Sequence, residues 1–479
     1  MTDDNHKICF ECVGEAYLSS EIERDGRSEV CSYCREQAPA IALEDLADRV
    51  EAVFGDHYKR TPAEPNFYES LMIKDRELKY DWYREGTSVA DLIPDIVGCS
   101  SEVVQDLHTV LRERHEDWDA ALAGEETPFD EEVHYEEVLP DHHAWRTEWT
   151  RFVHRLQRQA RYFDKNASAY LTSVFNGIAE RTARDGRPVV VTAGPGTALD
   201  RLWRGRVFQA DKPLLQALER PDRHLGPPPP EVASAGRMNA RGISLFYGAT
   251  SHDVALAEVR PPVGARVGMA AFEITRSLRL LDLDALADIK VQGSLFDPRY
   301  AEALRQARFL RDLVAKFAAP VLPDDADMAY LPTQVVADFL ANWSDPRLDG
   351  ILYRSVQSDA AGRNAVLFHH AAAVALLDLP EGAEVEARLS VVSDEGDYAY
   401  TVWETMPPDE EINENASPVP DWDWGGADEM VVPERDDREP ALQVATDAVS
   451  VHEIRAVAVN TERYDVDRHR SVGGAGLGF

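Results

Sequence analysis

Four cysteines, Cys9, Cys12, Cys31 and Cys34, form one Cys-x2-Cys pair, an eighteen-residue gap and a second such pair. Each short turn points two thiolates at one centre, and this spacing is that of a four-thiolate zinc site. The intervening segment is expected to fold back as a short ribbon. Two disulfides or a redox pair are the other readings. The first suits an oxidising compartment, and the second needs one such pair rather than two. Cys99 stands alone and reads as an inert small residue. A second set, Arg237, Tyr247 and Glu258, could converge where a strand meets a helix. The plain alternative is structural: Glu258 pairs with an arginine, and Tyr247 is a core aromatic with a wet hydroxyl.

These residues need elements to hold them. Gly236 and Gly242 bracket a polar turn, and Ile243 to Tyr247 reads as a short buried strand. Thr250, three residues before Asp253, resembles a helix start, so a helix is expected over 251–259, stopped by Pro261-Pro262. Upstream, Leu43, Leu46, Val50, Val53 and Phe54 recur at helical spacing. A long helix is expected from about 143 to 179, with Trp145, Trp149, Phe152, Leu156 and Phe163 on its apolar face. The same stretch carries Arg146, Arg151, Arg155, Arg158, Arg161 and Lys165, either a solvated face or a contact for an acidic partner. From about 185 the texture changes to short strands alternating with helices, interrupted by the loop Pro227–Pro230. Residues 406–440 are rich in Pro, Asp and Glu with little apolar period, and Val449 to Val459 alternates as a strand would.

The stretch Gly236-Arg237-Met238-Asn239, with Tyr247 ten residues beyond the arginine and Glu258 eleven further on, resembles the RES domain, although Met238 stands where compact members carry Trp. Asp349-Gly350-Ile351-Leu352-Tyr353-Arg354-Ser355, then Asn364 and Phe368, resemble the family's later strands and its serine. The resemblance spans about 198–385. It implies a fold like that of the ADP-ribosyltransferases and cleavage of the nicotinamide–ribose bond of NAD+. It also implies toxin-like depletion of the dinucleotide and restraint by an antitoxin or other regulatory partner. In that reading Arg237, Tyr247, Glu258 and Ser355 are catalytic, and Arg204, Asn239 and Asn364 help bind the substrate; Arg204 equally reads as a surface salt bridge, and Asn239 as a cap of its turn. Ser355 is expected to position rather than attack, because no Gly-x-Ser-x-Gly elbow or paired histidine surrounds it. The acceptor stays open between water, phosphate and a macromolecule. The N-terminal half is similar to the HEPN-type region that precedes RES domains in longer proteins. HEPN ribonucleases carry Arg-x4-His, and no histidine of residues 39–183 has an arginine five positions before it. Ribonuclease activity is therefore not expected.

With 479 residues, the chain is long enough for about three domains. The expected plan is a zinc ribbon over 1–38, an all-α HEPN-like bundle over 39–183 and an α+β RES domain over 184–405. An acidic segment over 406–440 and a C-terminal strand with a Gly-rich tail over 441–479 complete it. Asp plus Glu number 86 against 50 Lys plus Arg, a net charge of −36. Such a surface repels DNA and anionic membranes, so nucleic acid is not an expected partner. A small anion in a local basic pocket stays compatible with it. No apolar run reaches the length of a membrane span, and the acidic N-terminus has no signal-like apolar core. A soluble, cytoplasmic protein is expected, able to form a homo-oligomer. The competing class is an ADP-ribose-, nucleic-acid- or protein-binding module without turnover.

Overall fold

The computed structural model describes residues 6–75, 77–78, 80–159, 161, 164–319, 321–343, 347–355, 357, 362–391, 398–407, 437–458 and 461–468. Phe163 and the acidic residues Asp421, Asp423, Asp428, Glu429, Glu434 and Asp436 lie outside them, so the reading of 406–440 falls mostly on residues not described, all but 406–407 and 437–440. The chain divides into two compact units. One comprises residues 1–191, 236–238 and 281–346; the other comprises 192–235, 239–280 and 347–479. Among the described residues no helix is long and apolar enough to cross a membrane.

In the first unit, strands Lys7–Cys9, Gln37–Ala42 and Arg27–Val30 form an antiparallel sheet with Gln37–Ala42 in the middle. The expected ribbon between the cysteine pairs is corrected: helix Ala16–Asp25 occupies most of it and buries Leu18 and Ile22. Ile8, Leu18 and Ile22 share one core with Leu46, Val50 and Phe54 of helix Leu43–His57, and with Leu107 and Leu111 of helix Ser101–Arg114. The cysteine module is therefore packed into the helical core rather than hung beside it. The expectation of an all-α bundle is also corrected. Short strands Tyr58–Arg60, His134–Glu137 and Thr87–Ser88 pair among the helices. The long helix expected over 143–179 is two, His143–Arg158 and Lys165–Phe175. Asp164 starts the second by accepting hydrogen bonds from the Asn166 and Ala167 amides. Arg151 and Arg155 both pair with Glu148 at 3.2 Å, which reduces the basic stripe expected there. Trp145 and Trp149 pack on Phe309 of helix Pro298–Ala318. Residues 281–346 thus cluster with the N-terminal half, across the boundary expected at 184.

The second unit is built on a nine-stranded sheet. In chain order its strands are β1 (Val190–Ala193), β2 (Arg201–Phe208), β3 (Phe246–Ala249), β4 (Arg266–Ile274), β5 (Leu278–Asp282), β6 (Gly350–Arg354), β7 (Arg363–Leu367), β8 (Val374–Ala375) and β9 (Leu442–Glu453). Across the sheet they run β8-β9-β4-β2-β3-β7-β6-β5-β1. β4 is buried at Val267 through Phe272, the continuous apolar run of a strand covered on both faces. β9 pairs antiparallel with β4 from Leu442↔Ile274 to Glu453↔Arg266, with one register shift beside Ala270. The late strand therefore completes the interior of this sheet. Ending the chain at Pro440 is expected to abolish the unit's cooperative melting and expose dye-binding apolar surface, because β4 loses one of its two ladders. A truncated chain with an unchanged melting temperature would show that β9 is dispensable.

Candidate active site

Strand pairing brings the functional residues of the second unit to one end of the sheet. In the register, Tyr353 of β6 lies opposite Asn364 of β7, and Asn364 lies opposite Ala249 of β3. From Ala249 the chain turns through Thr250 and Ser251 into helix α1 (His252–Glu258). The helix-start signal sits one residue later than expected. Ser251 Oγ accepts from the Val254 amide, whereas Thr250 Oγ1 accepts from the Arg363 amide and ties the turn to β7. Ala255 and Glu258 lie three residues apart on one helical face, and both line a cleft of about 280 Å³. Trp203, Arg204, Tyr247, Tyr353 and Asn364 line it too.

Glu258 is held by two donors on one oxygen. Its Oε1 accepts from Ser355 Oγ at 2.5 Å and from Asn364 Nδ2 at 2.8 Å. Among the described residues Oε2 takes no hydrogen bond, so one carboxylate oxygen is fixed and the other is left for a ligand. Ser355 Oγ also accepts from the Gln357 amide. The serine thus spends its proton on the glutamate. The arrangement fits a fixed negative charge better than a nucleophilic hydroxyl, which would need a base to take its proton.

Tyr247 donates its hydroxyl to Asn239 Oδ1 at 2.7 Å. Asn239 is buried, and its Nδ2 donates to the Ser234, Ala240 and Ile243 carbonyls. Both of its polar atoms build the turn that fixes Tyr247. Arg204 is no surface ion-pair residue. It donates Nη1 to the Tyr247 carbonyl at 2.8 Å, and its guanidinium lies 5.2 Å from the Phe246 ring centroid. Desolvation, then Arg206 nearby, lowers its pKa to about 10. It stays cationic at neutral pH. Arg237 belongs to the first unit. There its Nη2 donates to the Ala319 carbonyl at 2.9 Å and the guanidinium sits 5.1 Å from the Tyr330 centroid. Its carbonyl accepts from Thr333 Oγ1, and that of Gly236 accepts from Gln334 Nε2. Trp203 and Tyr353 escaped the sequence reading. Tyr353 was findable, because it stands two residues before Ser355 and so faces the same side of an extended segment.

In the first unit the four cysteine sulfurs lie within 4.8 Å of one another. Cys9–Cys34 is 3.6 Å and Cys12–Cys31 is 3.8 Å. A disulfide needs about 2.05 Å, so these thiols are not bridged. A tetrahedral ion with ~2.3 Å bonds to sulfur has edges of ~3.8 Å, and the cluster could hold one such ion. Burial alone would raise the Cys31 thiol, but the Cys34, Tyr33 and Cys9 amides outweigh it and bring its pKa to about 6.

The RES domain family model matches residues 201–412. No curated protein and no solved structure matches the chain.

Proposed function

This chain is a RES domain protein, with the domain matched over residues 201–412, and from that premise we propose that it cleaves the nicotinamide–ribose bond of NAD+. The observation that carries the proposal is the glutamate of the second unit, fixed through Oε1 by Ser355 and Asn364 and lining a cleft. Nicotinamide departs from a nitrogen that is already cationic, so no general acid is needed, unlike ordinary glycoside cleavage. The transition state needs negative charge beside an oxocarbenium-like ribose, and Glu258 supplies it. A cleft of about 280 Å³ sits near the lower end of ligand-site volumes, roughly 300–1,000 Å³. It suits the nicotinamide riboside end rather than the whole dinucleotide. Tyr247 and Trp203 offer ring faces for the nicotinamide, and Arg204 offers a cation for a phosphate.

Arg237 keeps the role the resemblance gives it, a fork of donors for the pyrophosphate. Arg237→Ala is expected to raise KM for NAD+ at least ~10-fold, as loss of a charge-assisted contact does. The check is initial-rate kinetics of nicotinamide release, with a melting curve to confirm that the lost Tyr330 stack has not unfolded the chain. An unchanged KM and kcat in a folded variant would remove Arg237 from the substrate's grip.

The metal of the cysteine cluster is assigned as structural zinc. The chain acts in the cytoplasm as a toxin- or defence-like effector, its N-terminal half, HEPN-like in sequence, serving regulation by an antitoxin or other partner, or by self-association. Incubation with NAD+, with and without phosphate, tests the activity and separates hydrolysis from phosphorolysis. NAD+ left intact by folded, metal-replete protein would leave the second reading, an ADP-ribose-binding module without turnover, which Asn364 and the aromatic cleft also suit.

A further inference from the structure

A second cavity, of about 560 Å³, lies within the second unit, and Arg276, Arg279, Arg347 and Arg438 line it. None of its lining residues belongs to the Glu258 cleft. The two sites stand at opposite ends of one strand. Asp349 lines this cavity just before β6, and Ser355 meets Glu258 just after it. Six residue steps from Asp349 to Ser355 at ~3.3 Å each separate them by ~20 Å.

The cavity is built around a buried carboxylate. Asp349 Oδ2 accepts from the Arg279 amide at 2.9 Å, and Oδ1 lies 3.3 Å from His370 Nε2 and 3.6 Å from Arg276 Nη1. Burial would raise this carboxyl; His370, the Arg279 amide and Arg276 outweigh that and hold it below the usual range. Asp349 is thus a fixed anion that orients Arg276. Arg276 Nε is nevertheless buried without a hydrogen-bond partner, and a buried donor left unmet costs free energy. Arg438 is aimed by its own bond, donating Nη1 to the His369 carbonyl at 2.6 Å. Among the described lining residues, four guanidinium groups face two carboxylates, Asp349 and Glu439, an excess of two positive charges with histidine left out of the count. That excess stands out on a chain of net charge −36. Among the described residues no Phe, Tyr or Trp lines the cavity, so they offer a nucleobase no stacking platform. Arginine forks match phosphate oxygens in pairs.

We propose that this cavity is a second anion site, distinct from the Glu258 cleft, that binds a pyrophosphate-type group through Arg276, Arg279, Arg347 and Arg438. Its oxygens supply the acceptor that Arg276 Nε lacks. The ligand is recognised by its phosphates alone, so inorganic pyrophosphate and the diphosphate of a nucleotide are equivalent here.

The test is calorimetric titration of the full chain with inorganic pyrophosphate, and separately with ADP, at fixed ionic strength near 0.15 M. Exposed charge contacts beyond about 8 Å are screened under that condition. Saturable binding of one pyrophosphate is expected. It should weaken at least ~10-fold in the double variant Arg276→Gln/Arg279→Gln and stay unchanged in Glu258→Gln. If the double variant melts earlier, Arg347→Gln/Arg438→Gln gives the same test without touching the Asp349 anchor. Nicotinamide release measured on the same samples reads the catalytic site separately. Absence of saturable binding, or equal affinity in wild type and both double variants, would overturn the proposal. So would loss of pyrophosphate binding in Glu258→Gln or Arg237→Ala alone, which would put the anion at the NAD+ site.

Discussion

If the proposed activity holds, Glu258→Gln is expected to lower nicotinamide release from NAD+ by about 10²–10³, the effect of removing ~3–4 kcal/mol of electrostatic stabilisation from a transition state. The substitution keeps the side chain's shape. A Gln oxygen still accepts from Ser355 and Asn364, which now meet Oε1 at 2.5 and 2.8 Å, so the end of α1 and its packing should survive. What disappears is the negative charge beside the ribose. KM should change much less than kcat, because the charge matters most once the ribose becomes cationic. Single-turnover release of nicotinamide is the measurement, with the melting temperature as the control. Ser355→Ala gives the contrast. It removes one hydrogen bond to the carboxylate and leaves the charge, so a fall of about tenfold is expected, the scale of one bond to a charged group. A Gln variant with nearly full turnover would make Glu258 a structural residue. A Ser355→Ala loss as deep as that of Glu258→Gln would mean that the serine acts on the substrate directly.

The sequence shows this site through local features. Tyr247, Glu258, Ser355 and Asn364 are each set by a short strand or helix whose own pattern is readable, and the ladder places Asn364 between the other two segments. Ser355 is legible as a positioning donor because nothing near it in sequence activates it. What was illegible depends on pairing over long separations. β9 follows β4 by about 170 residues and carries no mark of its partner, so the sheet's interior cannot be read from Val449 to Val459 alone. Helices Pro298–Ala318 and Leu331–Asn342 have apolar faces that any neighbour could cover; Trp145 and Trp149 cover part of the first. Arg276, Arg279 and Arg438 read as scattered surface charges until the fold gathers them around Asp349. Asn239 stands in the same turn as Arg237, and its amide donates to three backbone carbonyls of the surrounding chain.

Cys31→Ser is expected to remove the proposed zinc and with it the fold of residues 6–42. Four thiolates gathered within 4.8 Å would fill a tetrahedral ion's positions and leave none open for a substrate, so such an ion would hold structure rather than react. Zinc sites of this class contribute an apparent ~10–16 kcal/mol to their small folds, which exceeds the usual whole-domain stability of about 5–15 kcal/mol at its lower end. The damage should not stop at residue 42. Ile8, Leu18 and Ile22 share a core with Leu46, Val50 and Leu107, so releasing the cysteine module uncovers that face of the helices. Two measurements decide it. Metal analysis of wild-type protein should give close to one zinc per chain, and Cys31→Ser close to none. The variant, or wild type stripped by a chelator, should lose far-UV helical signal and melt earlier, and zinc should restore only the stripped wild type. Well under one zinc in carefully prepared wild type, or four freely reactive thiols in the native state, would remove the metal. A metal-free chain with an unchanged melting curve would show that the shared apolar core alone holds the module in place.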